Sequence, residues 1–136
     1  MKIKRTASTE AGWTLVEMMV VMSLIVVLST LALAQYKNSI RQTKEAVLKA
    51  DLFHMRESID QYYADKGSYP SSLQALVSEG YLRSIPEDPI TKSADTWITT
   101  QAELDPSATS SSPGIYDVKS GADGVSLDGT RYADFR

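Results

Sequence analysis

The sequence of 136 residues contains no cysteine and a single histidine, His54. A disulfide framework, a zinc–cysteine site and a thiol nucleophile are therefore excluded. An exported domain of this size that lacks disulfides commonly needs another staple, such as a metal ion or a partner subunit. A lone imidazole is more typical of a surface or interface residue than of a catalytic one.

Basic side chains are outnumbered by acidic ones, 14 against 17. The formal net charge is −3, and residues 66–136 hold six basic against ten acidic side chains. Nucleic-acid binding needs a basic face, so we expect no nucleic acid among the partners. Acidic pairs could serve a glycosidase. With one histidine and no cysteine, however, a catalytic cleft in so small a tail is not expected, and we predict that the protein is not an enzyme.

The chain has instead one long uncharged apolar run, residues 18–34, with the sequence MMVVMSLIVVLSTLALA. Extending it back to Trp13 adds only one charge, that of Glu17. A helix of this length, about 33 Å, is long enough to cross a bilayer core of about 30 Å. We therefore predict a transmembrane segment over about 13–35.

The helical pattern continues beyond the apolar run. Neither glycine nor proline occurs between Trp13 and Lys66, so one long helix is predicted over 13–65. Its second half is amphipathic, with apolar residues spaced by 4, 3, 4 and 3 positions along one stripe: Leu48, Leu52, Met55, Ile59 and Tyr62. Gly67 and Pro70 are typical helix-ending signals.

Residues 66–136 form a small, turn-rich globular part. Ser71 or Ser72 is expected to cap a short helix over Leu73–Glu79. Two short antiparallel strands are predicted over Trp97–Thr100 and Ile115–Lys119, with an exposed polar loop between them. The predicted fold class is α+β, a long N-terminal helix packed on a small antiparallel sheet with a loop-rich C-terminus.

The segment from Gly12 to Glu17, GWTLVE, places a carboxylate five residues into the apolar helix. A charge inside hydrocarbon costs about 2.5–3.5 kcal/mol, and such residues are usually functional. If the chain were cut after Gly12, the new α-amino group of Trp13 in one copy could pair with Glu17 of a neighbouring copy. That pair would set the axial register of a stack of subunits.

These residues resemble the type IV pilin superfamily, whose precursors carry a short basic leader, then Gly, an aromatic residue, Thr, Leu, any residue and Glu. The resemblance implies that residues 1–12 are a leader removed between Gly12 and Trp13 by a prepilin peptidase. It also implies N-methylation of Trp13 and a register role for Glu17. Trp13 stands where Phe is usual, and Ala34 stands where a proline is common.

A rival interpretation is a secretory signal peptide. Ala32-Leu33-Ala34 is typical of a signal-peptidase site, with Lys2, Lys4 and Arg5 as the basic start. Cleavage there would release a secreted domain without a membrane helix. The apolar run is longer than a usual signal core of about 7–15 residues, and Glu17 lies inside it, which favours the pilin interpretation.

The C-terminal segment gathers three carboxylates, Asp123, Asp128 and Asp134, within twelve residues, among glycines that allow tight turns. Calcium takes six to eight oxygen ligands, which such a loop can supply. The loop is not an EF-hand, because Val125 and Leu127 occupy positions that should hold acids or amides. The alternative is a solvated cluster of Asp-Gly turns.

The tail most resembles that of the major pseudopilins of type II secretion. The shared features are Tyr69-Pro70, the short helix, Pro86 to Pro89, Trp97, Gly121 to Gly124 and Ala133-Asp134. The resemblance implies a calcium ion (Ca2+) bound by Asp123 and Asp134, with Asp128 as a third candidate. It would hold the C-terminal end in place of a disulfide.

The function implied is that of a structural subunit that polymerises with itself into the periplasmic pseudopilus of a type II secretion system. The protein would cross the bacterial inner membrane once, in contact with lipid, with its C-terminal part in the periplasm. The implied partners are the prepilin peptidase, minor pseudopilins, an inner-membrane assembly platform and an ATPase. The alternative is a major or minor pilin of a type IV pilus for adhesion, motility or DNA uptake.

Overall fold

The computed structural model describes residues 10–103 and 113–136. Its elements are, in order, helix α1 (Glu10–Lys66), helix α2 (Leu73–Ser78), strands β1 (Trp97–Gln101) and β2 (Ile115–Ser120), and a single 3₁₀ turn (Tyr132–Asp134). This arrangement confirms the predicted α+β class. The predicted polar loop between the strands, over 104–112, lies outside the described residues, as do residues 1–9 of the predicted leader.

Helix α1 begins at Glu10, three residues before the predicted start, and ends at Lys66. A single glycine inside a helix costs only about 1 kcal/mol relative to alanine, so Gly12 does not interrupt it. Ala34 likewise lies within unbroken helix. Gly67, with φ of +69°, ends the helix in the left-handed region that glycine adopts most readily.

The chain divides into two compact units, residues up to Ile40 and Arg41–Arg136. In the first unit every side chain described from Gly12 onward is exposed. Its most apolar 18-residue window has a mean hydropathy of 2.4, and no residue of that window is buried. By length and composition this is a helix that can cross a membrane.

Three hydroxyl groups within this apolar surface are satisfied inside the helix itself. Ser23 and Ser29 each donate a 2.7 Å hydrogen bond to the carbonyl oxygen four residues earlier. Thr30 donates an equally short bond to the carbonyl oxygen of Val27. The polar groups therefore do not need water, which is the condition for placing them in hydrocarbon.

The core of the second unit forms on the predicted stripe of α1. Leu48, Leu52, Met55 and Ile59 are at most 1% exposed. The other buried apolar members of the cluster come from the rest of the unit: Leu73, Leu76, Trp97, Ile115, Val118, Ala122, Tyr132 and Phe135. Tyr62, the last member of the predicted stripe, is partly buried and packs against this cluster.

Strands β1 and β2 are antiparallel neighbours, as predicted, with Trp97 opposite Ser120 and Thr99 opposite Val118. The indole of Trp97 donates a 2.8 Å hydrogen bond to the carbonyl oxygen of Pro86. Gly121 follows β2, where a Cβ atom would lie 2.1 Å from the carbonyl oxygen of Thr96. Only glycine allows the two backbones to approach so closely.

Helix α2 begins after Ser72, the second of the two predicted caps. The Ser72 hydroxyl accepts a 3.2 Å hydrogen bond from the backbone N–H of Ala75, which satisfies one of the helix's free donors. The helix ends at Ser78, one residue before the predicted end, and Gly80 follows with φ of +82°. Leu73 and Leu76 are its buried residues and pack into the core.

Replacing Leu52 by alanine tests the central position of the stripe. We expect the free energy of unfolding of the second unit to fall by about 2–5 kcal/mol, because a fully buried leucine leaves a cavity. Trp97 fluorescence during urea unfolding of the full chain in detergent micelles, in a Trp13→Phe background, measures the change. Leu127→Ala, at a half-exposed position, is the matched control, and an equal effect from both variants would contradict the assigned core.

Candidate functional site

The processing motif lies in the first turns of α1. A Cβ atom built on Gly12 would have no neighbour within 4 Å, and the Trp13 side chain is 76% exposed. Glu17 is exposed as well and lies one helical turn after Trp13, on the same face. The folded chain therefore leaves the predicted cleavage position and the predicted register residue accessible to other molecules.

Glu17 has no hydrogen-bond or ion-pair partner within residues 10–103 and 113–136. The surrounding side chains of α1 are apolar and exposed, among them Val16, Met18 and Val20. A carboxylate in apolar surroundings needs a compensating charge or donor. A partner for this charge would therefore have to come from outside the described residues.

The three candidate calcium ligands, Asp123, Asp128 and Asp134, are all exposed. Asp128 accepts a hydrogen bond from the Ser126 hydroxyl and lies 3.9 Å from the ammonium of Lys49. Across the described part of the chain, no group of three or more histidine, aspartate or glutamate side chains could hold a metal ion. The structure therefore does not assemble these carboxylates into one ligand set, and calcium binding stays a prediction.

Three backbone carbonyls of the same loop already accept hydrogen bonds from within the protein. Gly124 accepts from the Tyr132 N–H at 3.3 Å, Ser126 accepts from the Gly129 N–H at 3.1 Å, and Val125 accepts from the Arg41 guanidinium. A calcium ion would need six to eight oxygens directed at one point. As arranged here, the residues do not fit that requirement.

A buried carboxylate that the sequence interpretation missed, Glu45, lies beneath this loop. It is only 8% exposed. It accepts hydrogen bonds from the Leu127 N–H at 3.1 Å and from the Tyr132 hydroxyl at 3.1 Å. The Arg41 Nε atom donates a further bond at 3.2 Å. Glu45 precedes Leu48 by three positions and thus extends the apolar stripe, a signal that could have identified it.

Arg56 is a second connection that was not predicted. Its Nε donates to the Asp117 carboxylate at 2.7 Å. Its Nη2 donates to the carbonyl oxygens of Val118 at 2.9 Å and Phe135 at 3.0 Å. One guanidinium thus joins α1 to β2 and to the end of the chain. Its position next to Met55, at the edge of the stripe, is the only sequence signal for this role.

Asp88, in the Pro86–Pro89 segment, is fully buried. One carboxylate oxygen accepts from the backbone N–H groups of Ile90 at 2.8 Å and Thr91 at 3.3 Å. The other accepts from the Ser120 hydroxyl at 2.5 Å. This carboxylate therefore fixes the turn internally and attaches it to the end of β2, which makes the segment structural.

Comparison with known proteins gives the family. No family model and no solved structure matches the chain. The type II secretion system core protein G of Pseudomonas aeruginosa is 32% identical over 96 residues, which cover 59% of this chain and 68% of that protein. Its namesake from Klebsiella pneumoniae is 30% identical over 96 residues, covering 59% and 69%.

The corresponding protein of Escherichia coli is 27% identical over 101 residues, which cover 62% of this chain and 70% of that protein. All of these relatives carry the same name. The first is 32% identical to this chain, and the match spans more than two thirds of its length. The predicted resemblance to major pseudopilins is confirmed. The chain belongs to the family of type II secretion system core protein G, the major pseudopilins of the type IV pilin superfamily.

Proposed function

We propose that this pseudopilin polymerises with itself into a periplasmic pseudopilus, after a stage in which α1 anchors it in the inner membrane. The observation that carries the proposal is the exposed apolar surface of α1 up to Ile40, which begins at the Gly12–Glu17 motif. A surface this apolar needs a cover of lipid or of other protein. The membrane supplies the first cover and neighbouring copies supply the second.

The energetics of this exchange favour reversible assembly. Lipid tails are about as apolar as leucine side chains, so moving a helix from lipid to a bundle of helices gains little from the hydrophobic effect. Packing and polar pairing then decide which arrangement forms. Glu17 is the polar group in the right place, since each added copy would bring a Trp13 amine that could pair with it.

The proposed role is structural and needs no catalysis, which agrees with the name of the relatives, core proteins of a secretion system. The further partners would be the prepilin peptidase, minor pseudopilins, and the inner-membrane platform and ATPase that drive assembly. Extraction of each subunit from the membrane and its addition to the filament would advance the pseudopilus. The resulting movement would drive folded proteins through an outer-membrane channel.

Deleting the gene in its host tests the proposed function directly. We expect specific enzymes to disappear from the secreted fraction while surface pili remain, because a pseudopilus acts in the periplasm. Mass spectrometry of the culture supernatant and electron microscopy of the cell surface give the two readouts. Complementation with the intact gene is the control, and loss of surface filaments with secretion intact would indicate a type IV pilus subunit instead.

Replacing Gly12 by alanine tests the processing step. The added methyl group meets no neighbour within 4 Å, so the variant should fold normally and any defect should lie in recognition by the peptidase. We expect uncut precursor to accumulate in the membrane, measured by intact mass. Ala11→Ser, one residue earlier, should be processed normally.

The same measurement on the wild-type protein separates the two cleavage hypotheses. A mature chain that begins at Trp13 with one added methyl group agrees with the pilin interpretation. A chain that begins at Gln35 would contradict the membrane-helix argument, and normal processing of Gly12→Ala would contradict the assigned peptidase.

Replacing Glu17 by alanine tests the register role. We expect processing to continue while the yield of filaments falls by about tenfold or more, since loss of about 1.4 kcal/mol at each contact reduces the association constant tenfold. Sheared filaments counted by electron microscopy provide the measurement. Glu10→Ala removes the same type of side chain from the leader and should leave assembly unchanged, whereas wild-type filaments from Glu17→Ala would refute the register argument.

A further inference from the structure

The C-terminal loop, residues 121–136, is attached to α1 by two charged side chains of the helix, Glu45 and Arg56. We propose that these two side chains close the loop onto the helix without a metal ion. The inference is separate from the proposed secretion role, because it concerns what holds the folded unit together. In this arrangement Glu45 and Arg56 do the work that the family resemblance assigns to a calcium ion.

Glu45 joins two points of the loop to one carboxylate. The Leu127 N–H lies 3.1 Å and 3.3 Å from its two oxygens, and the Tyr132 hydroxyl lies 3.1 Å from Oε1. A buried charge is tolerated only when it is paired and hydrogen-bonded. Arg41 completes that requirement, because its guanidinium donates both to Glu45 and to the Val125 carbonyl.

Arg56 acts on the other end of the loop as a bound cation would. Its guanidinium is surrounded by three oxygens, those of Asp117, Val118 and Phe135, at 2.7–3.0 Å. Hydrogen bonds from a charged donor are stronger than neutral ones, and the planar guanidinium fixes their directions. A fixed positive charge thus already cross-links β2, the chain end and α1.

The charges around the loop also disfavour an added cation. Arg41 contacts the loop backbone at Val125. Lys49 lies 3.9 Å from Asp128 and 4.7 Å from the centre of the Phe135 ring. Each of these positive groups would repel calcium and competes for the oxygens that calcium would use. The loop is therefore built to be closed by side chains that are always present.

Hydrogen–deuterium exchange of the loop amides measures closure directly. The full chain in detergent micelles is compared in about 5 mM EDTA and in about 5 mM calcium chloride. This calcium concentration is high enough to fill even weak, millimolar sites. We expect exchange of peptides from residues 122–136 to differ by less than about twofold, since the closing bonds need no metal. Asp123→Asn and Asp134→Asn should leave that exchange unchanged.

Variants of Glu45 and Arg56 provide the second test, by the same exchange measurement. Glu45→Gln and Arg56→Met should each accelerate exchange in residues 122–136 by about ten- to a hundredfold, because each removes charge-assisted hydrogen bonds. Matched controls are Glu57→Gln and Arg83→Met, which alter exposed residues of the same types. Glutamine at position 45 keeps the shape of the side chain, so this variant is expected to fold.

Two results would overturn the proposal. If EDTA accelerated exchange of the wild-type loop about tenfold and calcium reversed it, a metal ion would be the closing element. If Glu45→Gln and Arg56→Met exchanged no faster than their controls, the two side chains would not hold the loop. Slow exchange in EDTA together with fast exchange in both variants supports closure by Glu45 and Arg56.

Discussion

The folded part of this pseudopilin depends on the apolar stripe that α1 presents between Leu48 and Ile59. These side chains are almost completely buried, and the tail from α2 to the last residues supplies the other members of their cluster. The strands form only a two-stranded sheet, and an isolated pair of strands is at best marginally stable in water. The sheet therefore persists because one face of the helix completes its core.

Between Gly12 and Ile40, by contrast, the apolar side chains of the same helix are all exposed. The division of labour follows from sequence pattern. An apolar stripe with charged flanks produces a helix that packs against a domain, whereas an apolar surface all round produces one that needs lipid or other helices.

The elements were predictable from local patterns, and the ties between them were not. Periodicity located the stripe, Gly67 marked the end of α1, and the cap of α2 was one of the two serines proposed, Ser72. Glu45 and Arg56 bind groups that lie 61–87 positions away in the sequence, so no local pattern contains them. The candidate calcium ligands Asp123, Asp128 and Asp134, which the family resemblance implies, are close in sequence, but proximity along a loop does not direct their oxygens to one point.

Three carboxylates show how the chain treats a charge in apolar surroundings. Asp88 is satisfied by backbone and hydroxyl donors, and Glu45 by donors from a loop more than eighty positions away. Glu17 differs, because none of the described residues forms a hydrogen bond or ion pair with its carboxylate. Since a carboxylate buried without a partner is strongly disfavoured, covering α1 with neighbouring helices would require each neighbour to supply one. In a filament of such helices, the Glu17 charge would therefore favour the packings that bring a positive group close to it.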